Sequence, residues 1–178
     1  MRHILRRHEF APQGCEYTAD TWRYLGDGAG EEASGPPHAS DSDPLVVPLA
    51  DLKADRARWL ARTGPLGVRI MPADKVEELA DDLPRLTLIA ITFPSFSDGR
   101  GFSQAEILRT RLGFSGELRA VGAVKQDLIF FMARCGIDAF ELAAGEDVDE
   151  ATRALQRFTV AYQPGDPAVK VTRQRFFA

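Results

Sequence analysis

The sequence has few of the residues that build metal and redox centres. Its 178 residues include only two cysteines and three histidines. Cys15 and Cys135 are far apart and form no CxxC pattern, while His3, His8 and His38 all precede residue 44. The scarcity of cysteine excludes a disulfide framework and disfavours zinc and iron–sulfur sites. The position of the histidines disfavours catalysis by a Ser/His/Asp or Cys/His group.

Glycine-rich cofactor loops are also missing. Neither GxGxxG nor GxxxxGK[ST] occurs in the chain, and no haem motif is present. Such loops place backbone N–H groups around a phosphate, so their absence removes the usual sign of nucleotide binding. The sequence therefore leaves the cofactor of the protein unknown.

Long apolar runs and an excess of positive charge are absent as well. No run approaches the roughly 20 residues that span a bilayer, and the N-terminus lacks the apolar centre of a secretory signal. The 22 basic and 26 acidic residues give a net charge of −4, which provides no overall field for nucleic acid. We therefore expect a cytoplasmic globular protein with neither a membrane nor nucleic acid as its main partner.

The composition divides the chain into three parts. Residues 28–44 contain no apolar side chain larger than alanine, so they cannot bury enough surface to offset the entropy of ordering, and they are predicted to be a flexible insert. Residues 1–27 form an N-terminal arm that includes short strand-like runs. Residues 45–178 form the main domain.

Short apolar runs alternate with segments of helical period after residue 44. Strands are predicted at residues 45–49, 66–71, 86–93, 117–122 and 137–142, and helices at residues 51–62, 74–82, 103–112, 124–135 and 147–158. This pattern indicates an α/β fold of about five βα units, with an open, mostly parallel sheet and helices on both faces. The alternative is a partial β/α barrel. In either architecture ligands bind at the C-terminal ends of the strands.

The loop after the third predicted strand has the composition of an anion site. Its sequence, PSFSDGRGFS, leads directly into a helix, where backbone N–H groups and an arginine would suit a small oxyanion. The candidate ligand-binding residues in it are Phe96, Asp98, Gly99, Arg100, Gly101 and Ser103. Asp98 would orient Arg100 or accept a proton. The alternative is a glycine-rich turn in which Asp98 and Ser103 only cap the helix and Arg100 is solvated.

The start of that helix carries a capping box. Ser103 and Glu106 have the spacing at which the serine oxygen accepts an unpaired backbone N–H and the glutamate reaches back. Gly113 and Gly136 occupy positions suited to a left-handed helix end.

An arginine in the fourth predicted strand requires a partner. Arg119 lies mid-strand, where burial is costly unless a carboxylate is near. If the fourth and fifth strands are neighbours, Glu141 points to the same face near the functional edge, so both residues are candidate ligand-binding residues. Asp138, at the opposite edge, would be structural. The alternative is that Arg119 extends past the edge of the sheet into solvent.

The helix predicted at residues 124–135 is apolar over more than one face. Phe131 and Cys135 belong to one stripe, and Phe130 lies on the other flank. The helix is therefore either deeply buried or in contact with a second copy of the chain or another protein. Asp127, in its first turn, is explained by the helix dipole, and Cys135 is predicted to be a buried apolar residue.

Two strings in this region, FPSFSDGRGFS and ELRAVG, resemble a bacterial domain-of-unknown-function family. Its members are described as probable oxidoreductases involved in sulfite reduction. The resemblance covers most of the chain outside residues 28–44 and implies a role beside assimilatory sulfite reductase, which supplies sulfide for cysteine synthesis. It supplies no catalytic residue. The chain departs from the family pattern GDVxxDQ at Ala123 and Leu128.

Three hypotheses follow, and the sequence leaves open whether the protein is an enzyme. The first is an accessory protein of sulfite reduction that binds a small oxyanion or acidic ligand at the C-terminal edge. The second is an enzyme in which Asp98 or Glu141 acts as acid or base while Arg100 or Arg119 holds an anion. The third is an interaction module that docks through residues 124–135 onto itself or onto sulfite reductase.

Overall fold

An eight-stranded sheet lies at the centre of the computed structural model, which describes residues 2–7, 14–26 and 41–156. The strands are β1 (His3–Arg7), β2 (Cys15–Ala19), β3 (Arg23–Tyr24), β4 (Leu45–Pro48), β5 (Leu66–Ile70), β6 (Leu88–Phe93), β7 (Glu117–Gly122) and β8 (Ala139–Phe140). The helices are α1 (Leu49–Ala54), α2 (Arg56–Leu60), α3 (Arg100–Glu106), α4 (Gln126–Arg134) and α5 (Val148–Gln156). The α/β class predicted from the sequence is confirmed.

The sheet is mixed. Its order is β2-β1-β8-β7-β6-β5-β4-β3. Strands β3 to β8 are parallel to one another, and β1 is antiparallel to both β2 and β8. The N-terminal arm thus contributes two antiparallel strands at one edge and a short parallel strand at the other.

The predicted helices of the first two βα units were wrong in detail. The segment predicted as one helix is divided into α1 and α2 because Asp55 adopts an extended backbone with φ −146°. Its side chain then accepts a hydrogen bond from Arg58 N at 3.2 Å. In the second unit, Asp74 Oδ2 accepts from Met71 N at 2.7 Å, which favours a turn over a helix. Only the 3₁₀ turns Val76–Leu79 and Leu83–Arg85 follow.

The last predicted strand is shorter than expected because its first residue closes the preceding helix. Gly136 has φ +95°, and Ile137 N donates to Met132 O at 3.2 Å. This is the hydrogen bond of a left-handed helix end, so the prediction for Gly136 is confirmed.

The short link between the two edge strands forces the sheet to curl. The edges of a flat sheet of this size would be about 34 Å apart, at about 4.8 Å per strand. Yet β2 ends at Ala19 and β3 begins at Arg23, a span of about 14 Å at full extension. The two edges therefore fold toward each other over one face of the sheet, which we call the concave face.

The two faces of the sheet are covered differently. The convex face carries the large core, in which strand residues such as Ile89, Ile91 and Leu118 pack against the helices. On the concave face, a smaller apolar cluster is covered by side chains of the link and β3. The members of that cluster are Trp22, Tyr24, Val46, Leu88, Ala90 and Val121.

The expectation of helices on both faces was therefore wrong for the residues described. The link through residues 20–22 is too short to go around the sheet, so it crosses the face where a second helical layer would lie. Along the strands, residues alternate between the convex core and this second, narrower face.

The insert predicted at residues 28–44 lies mostly outside the described residues. Its last four residues are described and are held by the loop before β5. Asp41 O accepts from Gly64 N at 2.8 Å, and Asp43 O accepts from Arg62 Nη2 at 3.1 Å. Within residues 2–7, 14–26 and 41–156, no helix has the length and apolar character needed to cross a membrane.

Candidate functional site

The predicted site residues occupy two different places. Phe96, Asp98 and Arg100 belong to the loop between β6 and α3, at the C-terminal edge of the parallel strands. Arg119 and Glu141 lie on the concave face of β7 and just after β8. Each place has its own geometry.

In the loop, Asp98 holds Arg100 in a fixed orientation. Asp98 Oδ1 accepts from Arg100 N at 3.2 Å and from Nε at 3.0 Å, and Oδ2 accepts from Nη2 at 2.7 Å. Hydrogen bonding to the Arg100 side chain lowers the pKa of Asp98, which makes this carboxylate a weak base. Beside the pair, Phe96 is 52% exposed, and Lys125 Nζ lies 5.7 Å from the centre of its ring.

Packing explains one of the two loop glycines. A Cβ on Gly101 would lie 2.6 Å from Phe93 Cζ, so the helix can lie this close to β6 only with glycine there. A Cβ on Gly99 would meet nothing closer than Phe102 at 3.7 Å. Gly101 therefore serves the contact between helix and sheet, whereas packing does not require Gly99.

The predicted capping role of Ser103 was wrong. Helix α3 begins at Arg100 with Gly99 at the N-cap, so Ser103 lies inside the helix and is exposed. The side chain that accepts from the first helical N–H is that of Asp98. The loop ends three residues earlier than the sequence pattern indicates because Asp98 supplies the acceptor.

We expect Ser103→Ala to leave the free energy of unfolding within about 0.5 kcal/mol of wild type, because alanine is the better helix former at an exposed interior position. Urea unfolding measures this directly. Asp98→Ala is the comparison variant and should lose more, since it removes the acceptor of Arg100 N. A loss of about 1 kcal/mol for Ser103→Ala, typical of a removed N-cap, would contradict this assignment.

On the concave face, Arg119 is fully buried and ion-paired. Its Nη1 lies 2.8 Å from Asp20 Oδ2 and donates to Tyr24 Oη at 3.1 Å. Its Nε donates to Glu117 Oε1 at 2.8 Å. Burial opposes the charge of Arg119, but Tyr24, Glu117 and Asp20 outweigh it and raise the pKa above its ordinary value.

The predicted ion pair between Arg119 and Glu141 was therefore wrong in its partner, although the expectation of a carboxylate was right. The side chain of Asp20 is 1% exposed, and its position comes from the curl of the sheet. Asp20 follows one edge strand and Tyr24 belongs to the other, so Arg119 joins both edges from the middle of the sheet. We take its role to be structural.

Asp138 is structural, as expected. Its Oδ2 accepts from Leu118 N at 3.0 Å and forms an ion pair with Arg109 Nη2. Arg109 also donates to Gly136 O at 2.9 Å and Gly116 O at 2.8 Å.

Glu141 instead forms an ion pair with Arg2, which directly precedes β1. Its Oε1 lies 3.4 Å from Arg2 Nε, and the Arg2 guanidinium lies 4.4 Å from the centre of the Tyr24 ring. Burial raises the pKa of Glu141, and Arg2 partly opposes that shift. Arg69 of β5 is near the same group, because Arg2 adds to the effect of burial in lowering its pKa.

Two hydroxyl groups on this face have hydrogens available for an acceptor. Thr92 Oγ1 is buried and has no hydrogen-bond partner among the residues described. Tyr24 Oη already accepts from Arg119, which has no acceptor atoms, so its own hydrogen points elsewhere. Burial raises the pKa of Tyr24 to about 12, which keeps the hydroxyl protonated at neutral pH.

We call these groups the mouth cluster, because they lie toward the C-terminal ends of the strands on the concave face. Its members are Arg2, Tyr24, Arg69, Thr92 and Glu141. Thr92 of β6 lies opposite Val121 of β7. Glu141 directly follows β8, and continuing the register of β7 and β8 by one residue places it beside Val121. The guanidinium and hydroxyl donors of the cluster suit a small anion, and the cluster also holds one carboxylate.

The sequence pointed to only one member of the mouth cluster, Glu141. Thr92 and Arg69 are polar positions in otherwise apolar strands, which was the available signal. Nothing in the sequence brings Arg2 and Tyr24 to this place, since they arrive with the two edges of the sheet. Across the described residues, no three His, Cys, Asp or Glu side chains are grouped to hold a metal ion.

The cysteines are poor nucleophiles. Burial, and then the charge of Glu106, raise the pKa of Cys135 to about 11. Burial also raises the pKa of Cys15. Neither thiol is therefore appreciably ionised at neutral pH.

Helix α4 packs against α5 and leaves a groove of about 530 Å³ between them. Phe131 is 46% exposed at this groove, and its ring meets that of Phe102 with centres 4.9 Å apart. Asp127 lies in the first turn of α4, as predicted from the sequence, where the helix dipole favours its charge. It also lines the groove.

Part of the chain matches a known protein family. The model described as "Bacterial protein of unknown function (DUF934)" matches residues 67–171, more than half of the chain. Thr92 and Glu141 lie within this range, and Arg2 and Tyr24 lie outside it. A search of curated proteins finds no match.

Proposed function

Because the chain belongs to this bacterial family of unknown function, we propose its function from geometry: it binds a small oxyanion in the mouth cluster. One observation carries the proposal. Thr92 and Tyr24 each have a hydroxyl hydrogen with no acceptor among the described residues. A buried hydroxyl without a partner costs about 1–3 kcal/mol, which an anion accepting from both would recover.

The surroundings favour a negatively charged acceptor. Arg2 lies against the Tyr24 ring and within ion-pair distance of Glu141, so a guanidinium faces the same space. The side chain of Arg2 is 38% exposed and that of Glu141 25% exposed, so solvent reaches them. Parallel sheets commonly bind ligands at this end of their strands.

The resemblance to proteins of sulfite reduction suggests which oxyanion is bound. Sulfite is a small oxyanion and the substrate of assimilatory sulfite reductase. We propose that the protein is an accessory protein of that process, which binds the anion and does not itself reduce it.

Isothermal titration calorimetry with sodium sulfite and sodium phosphate tests this proposal. We expect both Thr92→Val and Tyr24→Phe to weaken binding by about ten- to a hundredfold, since each removes a hydrogen bond to a charged ligand worth about 1.5–3 kcal/mol. Thr63→Val and Tyr17→Phe are matched controls at exposed positions and should bind as wild type does. The proposal is wrong if wild type binds neither anion.

The loop after β6 offers a second place for the anion. Arg100 is oriented by Asp98, and Lys125 lies across the ring of Phe96 from the neighbouring loop. Arg100→Ala and Lys125→Ala separate the two locations. If these variants lose binding while Thr92→Val keeps it, the anion binds at the loop.

A second candidate function is docking onto another protein, including sulfite reductase or a second copy of the chain. The groove between α4 and α5, with Phe131 half exposed at its wall, favours it. Phe131→Asp should abolish co-purification with the reductase if this surface is used. Retained co-purification would exclude this groove.

A further inference from the structure

Glu141 gives the mouth cluster a means of choosing among oxyanions. Resting on the proposed function, we infer that Glu141 selects oxyanions that carry a proton, such as hydrogen sulfite and hydrogen phosphate, over fully ionised sulfate.

The position of Glu141 brings its carboxylate toward an anion held by Thr92 and Tyr24. Glu141 and Thr92 are on the same face, separated by Val121 and two strand spacings, about 10 Å between backbones. Side chains on a concave face converge, which shortens that gap. Glu141 is also linked to Tyr24 through Arg2, which contacts both.

A carboxylate beside an anion site discriminates by hydrogen-bond chemistry. An ionised carboxylate has only acceptor atoms, and so does sulfate, so the two repel each other. Hydrogen sulfite and hydrogen phosphate retain an O–H group, which can donate to the carboxylate in a short, charge-assisted hydrogen bond. Sulfite and phosphate exist partly in such forms near neutral pH, whereas sulfate does not.

The charged and titratable groups around Glu141 allow it to act in this way. Arg2 directly precedes β1, and its Nε lies 3.4 Å from Glu141 Oε1. Arg119 of β7 also favours the carboxylate, while the buried charge of Asp20 disfavours it.

The side chain is also poised to change with pH. Burial raises the pKa of Glu141, so it becomes protonated at a higher pH than an ordinary glutamate. Once protonated it presents an O–H donor, and sulfate is no longer repelled. Sulfate does not titrate between pH 7 and pH 5. A gain in its affinity as the pH falls through this interval therefore reports a change in the protonation of the protein.

The experiment is calorimetric titration of the full chain with phosphate, sulfite and sulfate at pH 7. We expect wild type to bind phosphate and sulfite at least tenfold more tightly than sulfate. Glu141→Gln, whose amide can donate, should bind sulfate about tenfold more tightly than wild type and lose most of the preference. Glu77→Gln, at an exposed position, is the matched control and should keep the preference.

A second titration with sulfate alone, repeated as the pH is lowered from 7 to 5, provides an independent test. Wild type should gain affinity toward that of Glu141→Gln, while the variant should change little. Equal wild-type affinity for sulfate and phosphate, unchanged in Glu141→Gln, would overturn the inference and leave the proposed site standing. Failure of wild type to bind any of the three anions would overturn the proposed function and this inference together.

Discussion

Replacement of Arg119 by alanine should destabilise the protein by roughly 3–5 kcal/mol, because it leaves the buried carboxylate of Asp20 without its cation. Arg119 is 0% exposed, and its contacts reach both edges of the curled sheet. Loss of this side chain therefore removes charge balance and the link between the edges at once. Urea unfolding followed by circular dichroism measures the change.

Two comparison variants make the result specific. Arg100→Ala removes an exposed arginine from an ion pair and should leave the free energy of unfolding almost unchanged. The double variant Arg119→Met, Asp20→Asn should recover part of the loss, because position 20 is then uncharged and Glu117 keeps its ion pair with Arg6. If Arg119→Ala is no less stable than Arg100→Ala, the structural role assigned to Arg119 is wrong.

The second large effect is expected at Gly122, the last residue of β7. Its φ is +97°, and a Cβ there would lie 2.5 Å from the backbone oxygen of Phe93. That oxygen also accepts from Ala123 N at 2.7 Å, so the two strand ends cannot separate without losing the hydrogen bond. We expect Gly122→Ala to cost about 3 kcal/mol or more, combining backbone strain with a steric clash.

Gly113→Ala is the matched control for this prediction. Gly113 also has a positive φ, of +66°, but a Cβ there would meet nothing within 4 Å. Only the conformational strain remains, and the expected cost is about 1 kcal/mol. Equal losses in the two variants would show that the contact with Phe93 contributes nothing.

Local chemistry predicted most of the main domain. The strands around Leu66, Leu88 and Glu117 are short, mostly apolar runs, a pattern typical of a sheet buried on both faces, so their positions could be derived from the sequence. The end of α4 at Gly136 followed from the conformational freedom of glycine. The start of α3 did not, because two side-chain acceptors, Asp98 and Ser103, lie within six residues. Asp98, which is nearer to the strand, accepts from the first helical N–H, and the helix begins there.

The candidate site was predicted only in part. Glu141 was identified because its strand and register were predicted correctly enough to place it near the C-terminal edge of the sheet. Arg119 was recognised as needing a carboxylate, but both of its carboxylate partners were missed. Glu117 is two residues away on the same strand face, and Asp20 is ninety-nine residues away. Pairing a buried charge with a distant one requires knowledge of which segments meet.

The sequence by itself determined the α/β class, the order of the buried strands along the chain, the need for a counter-charge at Arg119 and the lack of clustered cysteine and histidine. These follow from hydrophobic period, backbone preferences and side-chain chemistry, which act over a few residues. Only the tertiary structure decided that the N-terminal arm supplies both edges of the sheet and brings Arg2 and Tyr24 together beside Glu141. The reason is that the curvature of the sheet follows from the short link between β2 and β3. The effect of that link can be seen only when its length is compared with the distance between the two edge strands.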